Sequence, residues 1–145
     1  MNKDVIILAQ NKLSEFFNNY NGRPVVRISI TDFDTDKNLF VEPDNKIIDA
    51  LCLSFCDVTL DLVNNNTKFE IFKDHVFTVS QAQRIIKFIR KYIKHIFVIN
   101  CVAGVSRSAA IAKIVCEMKG ENSSWICPPH YTPNPYVYGL LHKLK

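Results

Sequence analysis

The chain of 145 residues reads as an α/β domain built on a mostly parallel sheet. Three observations predict this class. Ile96-Phe97-Val98-Ile99 is a continuous apolar run, the mark of a strand covered on both faces. It follows directly on an amphipathic helix pattern, in which Ala82, Ile85, Ile86, Ile89 and Ile93 share one face. A short turn then leads into a second helical stretch from about Arg107 to Lys119, stopped by Gly120.

The remaining elements follow in order. From Val5 to Phe17, residues Ile6, Ala9, Leu13, Phe16 and Phe17 recur at helical spacing, which predicts a helix. Asn18 to Gly22 ends it, with Gly22 free to take positive φ. Val25 to Ile30 is short and β-branched, a strand. Thr31 to Asp36 is acidic and turn-rich, a solvated loop without the full EF-hand spacing that calcium needs. A second strand is expected over Ala50 to Phe55, and Asn64-Asn65-Asn66 marks a loop. Ser80 and Gln83 fit a capping box for the amphipathic helix. The basic residues of that helix, Arg84, Lys87, Arg90, Lys91 and Lys94, read as a solvated face. After a Pro-rich loop from Cys127 to Pro133, Asn134 caps a final helix with Pro135 at its first position.

Composition bounds the function. Length predicts one domain, residues 1–145, and 48% apolar with 22% charged residues is ordinary for a globular chain. Net charge is +4, compatible with an anionic substrate but too small to argue nucleic-acid binding. No stretch has the length of a membrane span, and the apolar patch at Val5 to Leu8 is too short for a signal peptide. Five Cys without a C-x-x-C pair or clustering with the four His argue against a disulfide framework or a zinc site. They favour an intracellular, cytoplasmic setting in which a free thiol can serve as nucleophile.

The chemical signal lies in Asn100-Cys101-Val102-Ala103-Gly104-Val105-Ser106-Arg107-Ser108. A strand-to-helix turn gathers backbone N–H groups, and the helix N-terminus adds positive potential, so the turn suits an anion. The same field favours Cys101 as thiolate. Arg107 can return its planar fork over the anion, and Ser108 can donate to the sulfur. Nucleophile, oxyanion donors and charge clamp are the parts of nucleophilic phosphoryl transfer. Composition alone gives about 0.2 C-x5-R pairs by chance. The bare spacing is therefore weak, and its place between buried strand and helix carries the argument.

On these residues the chain resembles the cysteine-dependent protein tyrosine phosphatases. Cys101 to Ser108 matches their signature loop, with the Ala-Gly-Val-Ser-Arg-Ser wording of the dual-specificity branch. Val26 to Asp32, Leu51 to Asp57 and Pro133 to Tyr138 are similar to small phosphatase-like proteins of bacteria, phages and viruses. The resemblance spans Val25 to Leu141, with its strongest motif over 98–112. It implies a three-layer α/β/α domain and phosphomonoester hydrolysis through a phosphocysteine on Cys101. It implies Val102, Ala103, Gly104, Val105, Ser106 and Arg107 as phosphate ligands, and no metal or other cofactor. The family usually has His where this chain has Asn100, which hydrogen-bonds but carries no charge.

The resemblance also implies a general acid from an upstream Asp. Asp57 holds the matching topological place, though farther from Cys101 than is usual, and Asp61 and Asp74 are rivals. Cys56, beside Asp57, is a candidate partner for a protective disulfide with Cys101. The expected partner is a phosphorylated protein, on tyrosine and/or serine and threonine, with no membrane and no nucleic acid. The alternatives are a phosphate-binding module with little turnover, or a phosphatase of RNA 5′-phosphates or phosphoinositides.

Overall fold

The computed structural model describes residues 4–32, 45–57 and 75–145. Its elements are β1 (Val5–Ala9), a 3-10 turn (Gln10–Lys12), α1 (Leu13–Asn19), β2 (Val25–Thr31) and β3 (Ile47–Ser54). Then follow α2 (Val79–Lys91), β4 (Ile96–Cys101), α3 (Arg107–Lys119) and α4 (Pro135–Leu144). The four strands form one sheet in the order β1-β4-β2-β3, and every pairing is parallel.

Alternation along the two inner strands makes the layers. Val26, Ile28 and Ile30 of β2 and Phe97 and Ile99 of β4 face a core shared with α2, α3 and α4. Val25 and Val98 point to the opposite face, where Leu13 and Phe17 of α1 cover them with Ile47. The result is the expected three-layer α/β/α arrangement. Helix α3 lies deep in it, with small residues Ser108, Ala109, Ala110 and Ala112 all buried. Gly120 closes α3 in the left-handed conformation at φ 74°.

Three expectations are corrected. The first helix starts only at Leu13; Val5–Ala9 is instead an edge strand, in register from Val5↔Phe97 to Ala9↔Cys101. Val5, Ile6 and Ile7 are β-branched, and pairing with β4 outweighs their helical spacing. Gly22 has no positive φ, since α1 ends at an extended Tyr20; its smallness instead makes room for the Tyr20 ring, with the hydroxyl 2.6 Å from where a Cβ would stand. The capping box of α2 is Thr78 with Gln81, two residues earlier than Ser80 and Gln83. The Thr78 hydroxyl accepts from the Gln81 amide, and the Gln81 side chain accepts from the Thr78 amide, each at 3.1 Å. Phe77 ahead of the cap and Ala82 are both buried in the main core, which selects this frame over its neighbour.

Candidate active site

The carboxyl ends of β2, β3 and β4 converge at one edge of the sheet, where parallel sheets place ligands. Cys101 ends β4 and Arg107 opens α3, so the loop 102–106 is the turn between them. Gly104 has φ 71°, and a Cβ there would lie 2.6 Å from the Ala9 nitrogen and 2.7 Å from the Leu8 carbonyl carbon. Glycine is required twice over, by its dihedral and by the backbone of β1 behind it.

That turn aims donors at the buried sulfur. The Gly104 amide donates to Cys101 Sγ at 3.3 Å, and Ser108 Oγ lies 3.1 Å from it. Burial alone opposes ionisation of Cys101. The Ser108 hydroxyl and amide, the Arg107 charge and the Gly104 amide outweigh it and lower the thiol below its ordinary range. Ser106, at the N-cap of α3, does not cap the helix with its side chain; the hydroxyl turns instead to Asp57.

Arg107 is nearly fully buried and held from one side. Its Nη1 donates to Asp32 Oδ1 at 2.6 Å and to the Phe55 carbonyl at 2.8 Å. Its Nε is buried without a partner among the described residues. A buried guanidinium donor left open is costly unless a ligand takes it.

Asp57 lies three residues past β3, with Oδ1 accepting from Ser106 Oγ and from Asn134 Nδ2, each at 2.8 Å. Asn134 caps α4 as expected, its Oδ1 accepting from the Tyr136 and Val137 amides. The same side chain therefore ties α4 to Asp57, and its backbone amide donates to the Ser106 carbonyl at 3.2 Å. Asp61 and Asp74 lie outside the described residues. Val102 and Val105 are exposed on the rim, at 40% and 38%, and Ala103 is exposed beside them.

Asn100 points to the face of the sheet opposite Cys101 and is fully buried. Its Oδ1 accepts from Arg27 Nε at 3.3 Å, and Arg27 Nη2 donates to Ser29 Oγ at 3.2 Å. Burial lowers the Arg27 pKa, with nearby Cys52 acting the other way. Cys101 Sγ is engaged by Ser108 and Gly104, and the Cys56–Cys101 disulfide considered from the sequence is not present in this structure. Among the described residues no His, Cys, Asp or Glu group is arranged to hold a metal, and no helix is long and apolar enough to cross a membrane.

No family model and no curated protein sequence matches the chain. Solved structures do. A human tyrosine phosphatase-like serine/threonine/tyrosine-interacting protein superposes with a TM-score of 0.61 at 14% identity, over 97% of this chain and 90% of that one. Tk-PTP in its active form gives 0.56 at 13% identity, over 99% and 92%. PTPMT1 in complex with PI(5)P gives 0.54 at 15%, over 98% and 90%. The fold is that of the tyrosine phosphatase-like proteins. At these identities the likeness is one of fold, and the chemistry rests on the residues of this chain.

In this phosphatase fold the structure brings together Cys101, the loop 102–106, Arg107, Ser108 and Asp57. It adds Asp32 and Asn134, which the sequence reading left as a solvated loop residue and a helix cap. A signal for Asp32 existed: it follows directly on the fully buried β2, and Asp57 comes three residues after β3. The signal for Arg27 was the one charged residue inside a β-branched strand.

Proposed function

We propose that the protein is a cysteine-dependent phosphatase that hydrolyses phosphomonoesters of phosphorylated proteins, on tyrosine and/or serine and threonine. One observation carries the reading. The Cys101 thiol is lowered by Ser108, Arg107 and Gly104, in a turn whose Arg107 keeps a buried open Nε. A thiol shifted toward thiolate, with a buried guanidinium donor beside it, suits attack on a bound phosphate.

In this mechanism the amides of the loop 102–106 and Arg107 Nε hold the phosphoryl oxygens. Cys101 Sγ forms a bond to phosphorus while the bond to the leaving oxygen breaks, and Asp57 gives that oxygen its proton. Asp57 Oδ1 is engaged by Ser106 and Asn134, so Oδ2 carries the proton. Water then attacks the phosphocysteine and gives a proton to Asp57. The sulfur departs as thiolate, stabilised by Ser108. No metal or other cofactor takes part. The chemistry needs a reduced thiol, in keeping with an intracellular, cytoplasmic setting.

The rim favours a substrate with a single phosphate. Residues Val102 to Ser106 carry no cation, and the carboxylates Asp57 and Asp32 stand beside them. A phosphoinositide or an RNA 5′-triphosphate would bring further anionic charge to that edge. The second reading, a phosphate-binding module with little turnover, is favoured by Asp57 itself. Ser106 and Asn134 both hold one of its oxygens, which leaves a single oxygen to serve a leaving group.

The test is steady-state hydrolysis of a small aryl phosphate under reducing conditions without added metal, beside Cys101→Ser. Turnover that vanishes in the variant supports the phosphatase. A folded parent that binds vanadate across pH 5 to 8 but releases no phosphate establishes the binding module instead.

A further inference from the structure

Helix α2 carries Arg84, Lys87, Arg90 and Lys91, and Lys94 follows in the turn after it; all five side chains are exposed. From Val79 to Ile96 the chain has no Asp or Glu. At about 100° per residue the four on the helix project within one arc of roughly 120°. Arg84/Lys87, Lys87/Arg90 and Lys87/Lys91 are three or four apart, and like charges at these spacings destabilise a helix. None of the five pairs with a carboxylate among the described residues. Arg90 donates to the Leu144 carbonyl and Lys91 lies over the Tyr92 ring. Asp49, which shares a hollow with Arg84, Lys87 and Lys91, accepts from the Tyr92 hydroxyl and the Ala50 amide.

The stripe has relief. Between α2 and the end of α4 is a cavity of about 320 Å³ with Ile86 and Leu144 in its lining. Between α2 and β3 is one of about 300 Å³ with Leu51 and Phe88 at its apolar part and Asp49, Arg84, Lys87 and Lys91 around it. Lys87 borders both. Two hollows with apolar patches, each bordered by cations, match an extended segment that alternates carboxylates with apolar side chains. A flat lipid surface or a nucleic-acid backbone has nothing to place in two separate hollows of this size. The capped end of α2 lies at the catalytic edge of the sheet, where Gln81 Nε2 donates to the Ser54 carbonyl. That edge presents Asp32 and Asp57, so acidic residues of a substrate are repelled there and attracted along α2.

We propose that the α2 stripe is a docking surface for an acidic peptide segment of the phosphorylated protein substrate. This rests on the proposed phosphatase reading, and the two are tested apart. Parent and a Lys87→Glu/Lys91→Glu variant are assayed on three substrates: a small aryl phosphate, a phosphotyrosine peptide with neutral flanks, and the same peptide with a flanking run of glutamates alternating with leucines. The parent is expected to prefer the acidic peptide through a lower KM. The variant should lose about tenfold in kcat/KM on that peptide alone, with the other two unchanged. Equal rates on the two peptides, or an equal loss on all three substrates, would overturn the docking proposal.

If the parent does not turn over aryl phosphate, the catalytic reading fails, and docking is read directly by fluorescence anisotropy of the unphosphorylated acidic peptide. Binding that the variant loses upholds the surface. No binding overturns it, as does charge-dependent binding to phosphatidylserine vesicles or single-stranded RNA in place of the peptide.

Discussion

Asp32→Asn tests how the anion clamp is held. Asp32 Oδ1 receives Arg107 Nη1 at 2.6 Å, against a guanidinium side chain only 6% exposed. A hydrogen bond to a charged group contributes about 1.5–3 kcal/mol. The Asp32 side chain keeps 38% of its surface in water, which takes the figure toward the lower end, ~1.5 kcal/mol. Asparagine keeps the shape and an acceptor oxygen but loses the charge, so the bond to Arg107 weakens and the Phe55 carbonyl carries more of the hold. The grip on phosphate loosens in ground state and transition state together. The expected result is a fall of about tenfold in kcat/KM on aryl phosphate, mostly through KM, since ~1.4 kcal/mol is tenfold. Thermal unfolding should drop by about 3–6 °C for a domain of this size. The opposite outcome is informative. An unchanged or raised kcat/KM means that Asp32 competes with phosphate for Arg107, and the positioning argument is wrong.

Three further outcomes are expected. Ser108→Ala removes the strongest of the groups that lower the Cys101 thiol, so the acid limb of kcat/KM should move to higher pH, and a limb that stays in place contradicts the assignment. The sign for stability follows from the same lowering. Between the folded and the unfolded thiol values the unfolded chain binds the proton more tightly, so Cys101 adds stability as pH rises and loses it as pH falls through the folded value. Asp57→Asn should slow esters with poor leaving groups far more than activated aryl esters, which a leaving-group series measures directly. Gly104→Ala meets both a positive φ and the β1 backbone, and should lower stability by ~2–3 kcal/mol and abolish turnover; chemical denaturation beside the aryl phosphate assay checks both.

The signals that read correctly in the sequence are local ones. Ile96 to Ile99 announced an inner strand because burial on both faces leaves no polar alternation, and Gly120 and Asn134 announced helix ends because the αL stop and the side-chain cap are one-residue effects. Cys101 to Ser108 was legible because nucleophile, turn and clamp are contiguous. The Gly22 and capping-box corrections are shifts of local frame, whereas the larger misreadings arose where distant partners decide. Val5–Ala9 became a strand because β4 offers it a ladder, which no local spacing shows. Asp32 lies 75 positions from Arg107, and Asn134 lies 77 from Asp57. Only the parallel sheet brings the ends of β2, β3 and β4 to one edge, so residues that look like loop and cap in sequence meet at the site.

The same long-range logic applies to Asn100, where the resemblance expects His. Asn100 Oδ1 accepts from Arg27 across the β2–β4 pairing, on the sheet face away from Cys101. An acceptor is what a buried guanidinium needs there. A histidine is larger and, when protonated, presents only donors to Arg27. Asn100→His should therefore lose stability, by about 1–3 kcal/mol from overpacking in a fully buried place. The loss should deepen as pH falls through the imidazole range, because Arg27 holds the folded-state imidazole pKa down. Denaturant unfolding of the variant at pH 8 and pH 6 measures both effects. A variant as stable as the parent at both pH values would mean that Arg27 does not depend on Asn100. The departure from the family residue would then be an isolated substitution, with no co-adapted pair behind it.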